Sequence, residues 1–350
     1  MFDSIKASKE IKDSYIDYIT TTFDMADTDY EREFRKELQT DGMVASGPFL
    51  DIGGSYETGH TLRELIQAQK ASILFENLEP VAEKERELKL DRPLYQHQET
   101  AILKADKGEN LVVTTGTGSG KTESFLLPII NHLLREQEAG TLYAGVRAII
   151  IYPMNALAND QMKRMRALFK NYPQICYGVY NGNTEHTQSK ALAEYHRTYH
   201  DEAGEPIDPA PNEIISREVM QEKSPHILIT NYSMLEYMML RPKDDAVFSG
   251  AKLKFIVLDE AHIYKGATGM ETSLLMRRLR ARISEPDSVQ YILTSATLGG
   301  PDADGDILSF AEKLCGVAFQ RSGIIRSTEK RPAMEDFLDF APALFEELQR

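Results

Sequence analysis

The sequence predicts an α/β fold in which a parallel sheet is flanked by helices, with an N-terminal helical accessory region. Between residues 91 and 300, apolar runs alternate with helical patterns, which is typical of a parallel sheet. Two of these runs end in polar residues suited to phosphate and metal, as ligand-binding strand ends do. The 350 residues are 42% hydrophobic, which is enough for a sizeable core.

The first 90 residues carry no nucleotide-binding motif, and we expect a helical accessory region that packs on the core. Helical spacing on one apolar face is shared by Tyr15, Tyr18, Ile19 and Phe23. A second helix, with Thr61 as its cap, is predicted from the pattern of Leu62, Leu65, Ile66, Ile73 and Leu74. Glycine and proline between the two predict a loop at 47–54.

Residues 91–300 are predicted to form one domain. Strands are expected at 111–115, 147–152, 176–180, 226–230, 254–259 and 289–295. Helices are expected between them at 121–136, 156–170, 232–240 and 269–284. The polar stretch 181–211 is the exception, and part of it is predicted to be a mobile surface insertion. Its histidines lack the glutamate and cysteines of a zinc site, so we interpret them as structural: His186, His196 and His200.

A glycine-rich loop follows the first of these strands. It has the sequence Gly116-Thr117-Gly118-Ser119-Gly120-Lys121-Thr122 and leads into a predicted helix. Three glycines in five residues let several N–H groups point into one concavity, which together with a helix N-terminus suits the β- and γ-phosphates of a nucleotide. Lys121 is expected to reach the phosphate oxygens, and the Thr122 hydroxyl to hold Mg²⁺. The strict P-loop pattern has a glycine where Thr115 stands.

Two further apolar strands end in polar residues. The run at 255–258 is followed by Asp259 and Glu260, and the run at 291–294 by Ser295-Ala296-Thr297. An acidic pair after a strand is common by itself, but its combination with Lys121 favours phosphoryl transfer over a merely solvated strand end. In that chemistry Asp259 would bind Mg²⁺, directly or through water, and Glu260 would orient and deprotonate the attacking water.

Taken in order, these three segments resemble motifs I, II and III of the superfamily 2 DEAD/DEAH-box helicases, and the second reads Asp-Glu-Ala-His from 259 to 262. Residues 94–98 resemble the adenine-reading Q motif, and 152–161 and 230–235 resemble motifs Ia and Ib. The last two segments are most similar to the Lhr/YprA/Hrq branch. That branch includes large bacterial helicases, several of them in phage-defence systems.

The resemblance covers roughly residues 90–300 and implies a RecA-like P-loop domain that binds ATP and Mg²⁺. The implied ATP-binding residues are Gln98, at the adenine edge, and Thr115, Gly116, Thr117, Gly118, Ser119, Gly120, Lys121 and Thr122. The implied catalytic residues are Lys121, Asp259 and Glu260, with Thr122 and Asp259 as metal ligands. Coupling of the γ-phosphate state to domain movement is implied for His262, Ser295 and Thr297. Contacts to the nucleic-acid backbone are implied for Pro153, Asn155, Thr230, Asn231 and Tyr232.

The resemblance also implies a second RecA-like domain, in cis or in trans, that carries the arginine fingers of motif VI. The segment 320–326 approaches that motif, but Ile324 and Ser327 stand where its arginines belong. It also follows motif III too closely, so we interpret it as coincidental. Residues 301–350 are expected to be a helical extension toward the second domain, with helices at 310–314 and 337–350. The chain would then be a fragment, a truncated form, or a subunit completed by another chain.

Composition limits the class of protein. The net charge of −14 is unusual for a nucleic-acid binder, yet a whole-chain average says little about one face. Two cysteines exclude a zinc ribbon or a four-cysteine iron–sulfur cluster within this chain. Without a signal-peptide core or a run of eighteen apolar residues, a cytoplasmic protein with no membrane partner is expected.

Basic residues cluster on two predicted helices. The first cluster is Lys163, Arg164, Arg166 and Lys170, and the second is Arg277, Arg278, Arg280 and Arg282. Each cluster suits either a nucleic-acid contact or an ordinary solvated helix face with carboxylates opposite. The sequence leaves both interpretations open.

The sequence therefore predicts the N-terminal ATP-binding half of a nucleic-acid helicase or translocase, with DNA favoured over RNA as its partner. Without an arginine finger we expect slow hydrolysis, since such a residue supplies roughly 10³–10⁵ in rate. Two alternatives remain. The chain could be an ATP-binding switch or assembly subunit without unwinding activity, or a double-strand translocase of a restriction or defence system with other defence-system proteins as partners.

Overall fold

The chain folds into two compact units, Met1–Gly54 and Ser55–Arg350. The computed structural model describes residues 4–23, 27–40, 42–46, 55–78, 88–116, 118–201, 204–297, 299 and 301–330. The boundary at 54/55 differs from the one predicted near residue 90. The reason is that Leu62, Leu65 and Phe75 are buried in the same core as the helices that follow them, so this segment belongs to the second unit.

The described residues of the first unit form two helices, α1 (Ser4–Thr22) and α2 (Thr28–Gln39). The Asp27 carboxylate caps α2 by accepting hydrogen bonds from the Asp29 and Tyr30 N–H groups in its first turn. The helix predicted around Tyr15 is confirmed, but the face predicted to pack is wrong. Tyr15 and Tyr18 stack on each other with ring centroids 6.4 Å apart and stay exposed, whereas Ile16 is buried.

The second unit alternates strands and helices. Its strands are β1 (Thr58–Thr61), β2 (Pro93–Tyr95), β3 (Leu111–Thr114), β4 (Ala148–Ile151), β5 (Tyr177–Val179), β6 (Glu213–Ile214), β7 (Ile227–Thr230), β8 (Phe255–Leu258), β9 (Gln290–Ser295) and β10 (Ile324–Arg326). Its α-helices are α3 (Leu62–Gln67), α4 (Gln96–Asp106), α5 (Lys121–Glu138), α6 (Asn155–Phe169), α7 (Gln188–Thr198), α8 (Arg217–Glu222), α9 (Tyr232–Leu240), α10 (Asp245–Phe248), α11 (Gly266–Arg282) and α12 (Asp304–Cys315).

An eight-stranded sheet organises this unit, in the order β10-β3-β9-β8-β4-β7-β5-β6 with every described pair parallel. Strands β4, β7, β8 and β9 are buried along their whole length, because apolar clusters cover both faces of the sheet. The six predicted strands are confirmed, each ending within one residue of its expected bounds. Strands β1 and β2 form a separate antiparallel pair.

The structure corrects the prediction for residues 62–74. The single helix predicted from Leu62 to Leu74 is α3 followed by a separate 3-10 helix, Ile73–Asn77, because Gln69 between them adopts a positive φ of 58°. The predicted cap is confirmed, since Thr61 forms a capping box with Glu64.

The polar stretch 181–211, predicted in part as a mobile insertion, contains α7. Tyr195 of this helix is buried, and the Arg166 guanidinium lies over its ring and over the Tyr199 ring, at 5.1 and 4.2 Å. His196 pairs with Asp208 at 2.7 Å. The stretch is therefore anchored to the unit through a helix that its polar composition concealed.

Residues 301–330 belong to the same sheet and are not an extension away from it. Helix α12 includes the predicted 310–314 helix, and β10 then pairs with β3. The Asp304 carboxylate at the start of α12 accepts hydrogen bonds from Arg321, at 2.8 Å, and pairs with Arg326, at 2.6 Å. The helix predicted at 337–350 lies outside the described residues.

Residues near the two ends of the described second unit pair with each other. Tyr56 and Glu329 form an antiparallel bridge. The Glu57 N–H donates to the Thr328 carbonyl at 2.8 Å, and the Lys330 N–H donates to the Ser55 carbonyl at 2.7 Å. Within the described part of the chain, no helix combines the length and the apolar character needed to cross a lipid bilayer.

Candidate nucleotide-binding site

The sheet order brings the three predicted motifs to one edge. Strands β3, β9 and β8 are neighbours, and parallel strands have their carboxyl ends at the same edge. The glycine loop follows β3, Asp259 and Glu260 follow β8, and Ser295 ends β9. Residues more than a hundred positions apart in sequence therefore meet at this edge.

The glycine loop is closed by its own side chains. Gly118 and Gly120 have φ angles of 77° and 75°, a region that glycine enters without steric cost, and Gly120 caps the N-terminus of α5. The buried Ser119 hydroxyl lies 2.7 Å from Thr115 Oγ1 and 2.8 Å from the Gly116 carbonyl oxygen. Thr115, which replaces the expected glycine, thus stabilises the loop through this internal hydrogen bond. Thr117 lies outside the described residues.

Helix α4 braces the loop from the other side. Gln98 donates from Nε2 to the Gly120 carbonyl at 3.1 Å, and its Oε1 accepts from the Tyr95 N–H at 3.0 Å. His97 Nε2 lies 2.9 Å from the Ser119 carbonyl oxygen, so this nitrogen carries the hydrogen. Burial lowers the pKa of His97, which keeps its ring neutral. Both ends of the Gln98 amide are engaged with the protein, and its contact with adenine remains a prediction.

Lys121 faces the acidic pair across the edge of the sheet. Its Nζ lies 3.2 Å from Glu260 Oε1, with the two side chains only 11% and 25% exposed. A partly buried ammonium needs a nearby anion to offset its desolvation, and Glu260 supplies one. The first turn of α5 and the end of β8 therefore hold opposite charges at contact distance, the separation expected if both serve one bound phosphate group.

Thr294 links the two acidic residues. Its hydroxyl donates to Asp259 Oδ1 and accepts from the Glu260 N–H at 3.3 Å. Burial raises the pKa of Asp259, while the hydrogen bond from Thr294 and the charge of Lys121 oppose that rise. The motifs read from the sequence do not include Thr294. Its only signal is a threonine between the apolar residues 291–293 and Ser295.

The three residues predicted to couple hydrolysis to movement touch one another. His262 Nδ1 lies 3.1 Å from Ser295 Oγ and 3.3 Å from Glu260 Oε2. The Thr297 N–H donates to the same Ser295 oxygen at 3.1 Å. A continuous path of contacts therefore runs from Lys121 through Glu260 and His262 to the end of β9.

The predicted nucleic-acid residues follow the neighbouring strands β4 and β7. Thr230 is 1% exposed and its hydroxyl donates to the Tyr180 carbonyl at 2.7 Å, so in this conformation its side chain does not reach the surface. The Asn231 side chain accepts from the Met234 N–H at 2.7 Å as the cap of α9. Tyr232 is half-buried and Pro153 follows β4. The side chain of Asn155 lies outside the described residues.

Both basic clusters are largely paired within the protein. Carboxylate partners are present for Arg164 (Glu123), Arg166 (Glu213), Arg278 (Glu236), Arg280 (Asp287) and Arg282 (Asp245). This favours the solvated helix face over a dedicated nucleic-acid contact for these arginines. The sequence could not show it, because most of the partners lie on other elements.

The donor atoms at the site suit Mg²⁺ carried with a nucleotide. In the described residues, no group of three or more histidine, cysteine, aspartate or glutamate side chains could hold a metal ion. The oxygen donors predicted for this edge are the Asp259 carboxylate and the Thr122 hydroxyl. Mg²⁺ typically takes one or two carboxylates and completes its coordination with water and substrate phosphates, so this sparse set fits it.

Comparison with known proteins identifies the family. Residues 95–202 and 205–304 match the family described as DEAD/DEAH box helicase. This match covers more than half of the chain, and the chain belongs to the DEAD/DEAH box helicase family.

Similar proteins agree with this assignment. The Druantia protein DruE of Escherichia coli is 32% identical over 93% of this chain and 22% of its own length. The uncharacterized ATP-dependent helicase YprA of Bacillus subtilis is 30% identical over 62% of this chain and 24% of its own. The chain thus spans less than a quarter of either relative.

A solved structure shares the fold. The crystal structure of the DUF1998 helicase MrfA bound to DNA is similar with a TM-score of 0.53 at 24% identity, covering 78% of this chain and 29% of that one. The predicted fold class, a RecA-like parallel sheet flanked by helices, is confirmed.

Proposed function

We propose that this chain is the N-terminal ATP-binding part of an ATP-dependent helicase or translocase, which hydrolyses ATP with Mg²⁺ and moves on nucleic acid, DNA ahead of RNA. The observation that carries the proposal is the 3.2 Å contact between Lys121 Nζ and Glu260 Oε1 at the carboxyl edge of a parallel sheet. Family membership and the ATP-dependent helicase relatives support it. Because the chain spans only part of those relatives, the activity is proposed for the longer protein.

The glycine loop would bind the β- and γ-phosphates. Backbone N–H groups of residues 116–120 and the N-terminus of α5 supply donors, and Lys121 supplies the positive charge. Phosphate oxygens would compete with Glu260 for the Lys121 ammonium and so release the Glu260 carboxylate. Thr122 and Asp259 would hold Mg²⁺, which neutralises charge that develops on the phosphates.

Glu260 would act as the general base. It would accept a proton from the water that attacks the γ-phosphorus, and the bond from that phosphorus to the β-γ bridging oxygen would break, giving ADP and phosphate. His262 contacts both Glu260 and Ser295, so a change at the γ-phosphate could pass to β9 and Thr297. A second RecA-like domain, in cis or in trans, would supply the missing arginine.

The test is ATP turnover by the chain and by the full natural protein, with a panel of single-stranded and duplex DNA and RNA. Lys121→Ala removes the phosphate-binding cation, and Lys252→Ala removes an exposed lysine elsewhere in the unit as a matched control. Stimulated turnover that is lost only in Lys121→Ala supports the motor. Nucleotide binding without stimulated turnover in the full protein supports the switch or assembly alternative.

The double-strand translocase alternative needs a separate assay. A translocase would displace the third strand of a triplex without opening a forked duplex, whereas a helicase would open the fork. Both assays use the same Lys121→Ala and Lys252→Ala variants, so that a signal independent of ATP is recognised.

A role in a cytoplasmic antiviral defence system, with other defence-system proteins as partners, is supported by the similarity to the Druantia protein DruE. The corresponding test is phage plating on cells that carry the natural gene or its Lys121→Ala variant. Equal phage plating on the two kinds of cells would contradict the defence role and would leave the ATPase proposal intact.

A further inference from the structure

We infer that Thr294 is a positioning residue that sets the direction of both acidic side chains through a single hydroxyl. The inference rests on the proposed ATP-binding function and adds a residue that none of the recognised motifs contains. Thr294 is fully buried in β9 and cannot itself touch a nucleotide. Its effect must therefore pass through Asp259 and Glu260.

The sheet register places Thr294 beside the acidic pair. Leu258 of β8 pairs with Leu293 of β9, so the next residues along the two strands, Asp259 and Thr294, are also side by side. The Thr294 hydroxyl donates its one hydrogen to Asp259 Oδ1, and its oxygen accepts from the Glu260 N–H at 3.3 Å. One side chain thereby orients a carboxylate through its donor and the neighbouring backbone through its acceptor.

Glu260 needs such support because of its backbone conformation. Its φ and ψ are 47° and 48°, a left-handed region that residues with a Cβ rarely adopt. This turn directs the Glu260 carboxylate to Lys121 at 3.2 Å and to His262 at 3.3 Å. The hydrogen bond from its N–H to Thr294 opposes relaxation to an ordinary conformation, in which both contacts would be lost.

A side chain without a hydroxyl could not replace this function. Valine has the shape of threonine without the hydroxyl, and it would leave the Asp259 oxygen and the Glu260 N–H without this partner. Serine keeps the hydroxyl and loses only a methyl group. Comparing the two substitutions therefore distinguishes the contribution of the hydrogen bonds from that of the packing volume in β9.

The experiment measures binding of a non-hydrolysable ATP analogue by titration calorimetry, with Mg²⁺ and again with EDTA. Thr294→Val is expected to weaken Mg²⁺-supported binding by about tenfold, the effect of losing a hydrogen bond to a charged group. Binding in EDTA should change by less than about twofold, because the loop and Lys121 are intact. Thr294→Ser should restore most of the Mg²⁺-supported affinity. Thr272→Val removes a buried threonine hydroxyl from α11 and should bind like the wild type.

Three results would overturn the inference. Wild-type affinity in Thr294→Val would show that the hydroxyl is dispensable. An equal loss with Mg²⁺ and EDTA that serine does not rescue would indicate a space-filling role. If Thr294→Val does not fold, Thr294→Ser decides alone, because a tenfold loss in that variant contradicts the hydroxyl as the active feature. Failure of the wild type itself to bind the analogue would instead reject the proposed function.

Discussion

Single residues of the glycine loop are constrained in two different ways. Gly118 and Gly120 both have positive φ, but only Gly120 is also enclosed by neighbours. A Cβ at Gly120 would lie 2.4 Å from Gln98 Nε2 and 3.1 Å from Glu123 Oε2, whereas a Cβ at Gly118 would meet nothing within 4 Å. A substitution at Gly118 therefore tests backbone strain alone, whereas a substitution at Gly120 also tests the clash with its neighbours.

This difference predicts unequal effects of alanine. Gly118→Ala should cost only the left-handed conformation, roughly 1–2 kcal/mol of unfolding free energy, and should keep most nucleotide affinity. Gly120→Ala should cost more and weaken nucleotide binding, because the Gln98 amide must leave the Gly120 carbonyl. Urea unfolding and analogue titration of both variants measure the two quantities. Equal behaviour of the two variants would contradict the bracing role of Gln98.

For single residues, the sequence indicated which residues belong to the proposed site better than it indicated the contacts that each residue makes. The motifs predicted that Lys121 would face Asp259 and Glu260, and the structure brings Lys121 and Glu260 into contact although they are 139 positions apart. The contacts of Gln98 with Gly120, and the link through Thr294, depend on how α4 and β9 pack against their neighbours. No local pattern encodes such packing, so these partners required the structure.

Among the elements, an ion pair joins Glu136 of α5 to Arg147, the residue directly before β4. Arg147 is 1% exposed, and its Nε lies 2.9 Å from Glu136 Oε2. Its Nη1 also donates to the Gly145 carbonyl at 2.8 Å. The pair links the C-terminal end of α5 to the strand that precedes the predicted nucleic-acid segment.

Removing one member of this pair should destabilise the unit strongly. Arg147→Met is expected to lower the free energy of unfolding by roughly 3 kcal/mol, because Glu136, only 16% exposed, would lose its arginine counter-charge. The double substitution with Glu136→Gln should recover part of that loss. Arg197→Met, which breaks an exposed pair with Glu194, should change stability by less than about 1 kcal/mol. Denaturant unfolding measures all three, and similar losses for the two single variants would contradict the argument.

The attachment of β10 should depend on pH. Hydrogen bonds from Arg326 and Arg321 lower the pKa of Asp304 below its ordinary value of 3.8. A lowered folded-state pKa means that the stabilisation is fully present above the unfolded value and is lost as pH falls through the folded one. Asp304→Asn should therefore lower the unfolding midpoint at pH 7, and its difference from wild type should shrink at pH values below about 3.8.

Asp302→Asn provides the control for this prediction, since it removes a nearby exposed carboxylate and should leave the midpoint unchanged. A difference between Asp304→Asn and wild type that is independent of pH would show that Asp304 acts by packing and not by its charge.

Long, buried strands were predictable as elements, and short edge elements were not. Strands β4, β7, β8 and β9 are apolar runs with a clear limit at each end. Strand β6 has two residues and β10 has three, and each includes a charged residue, so neither forms an apolar run that the sequence would reveal. Helix α7 was hidden by a polar composition, because only Ala191 and Tyr195 of its residues are buried.

For the whole molecule, every residue of the proposed nucleotide site lies in the second unit, between Gln98 and Thr297. Deletion of residues 1–54 should therefore leave the affinity for a non-hydrolysable ATP analogue within about twofold of wild type. Calorimetric titration of the shortened and complete chains measures this. A large loss of affinity would make the first unit part of the site.

The division into units was the least predictable feature at this scale. Composition alone placed residues 55–78 with the helical N-terminal region, because they carry no motif and have helical spacing. Their burial against the core of the second unit is a tertiary fact, set by Leu62, Leu65 and Phe75. Local pattern indicates what a segment forms, and packing decides which unit it joins.

The pairing of residues 55–57 with 328–330 lies beside the proposed phosphate-binding loop. Tyr56 is part of the pairing, and a Cβ built on Gly116 would come within 3.0 Å of its hydroxyl. The two segments that pair at the ends of the described second unit therefore lie next to the proposed phosphate-binding loop. We expect nucleotide binding and this pairing to influence each other's stability.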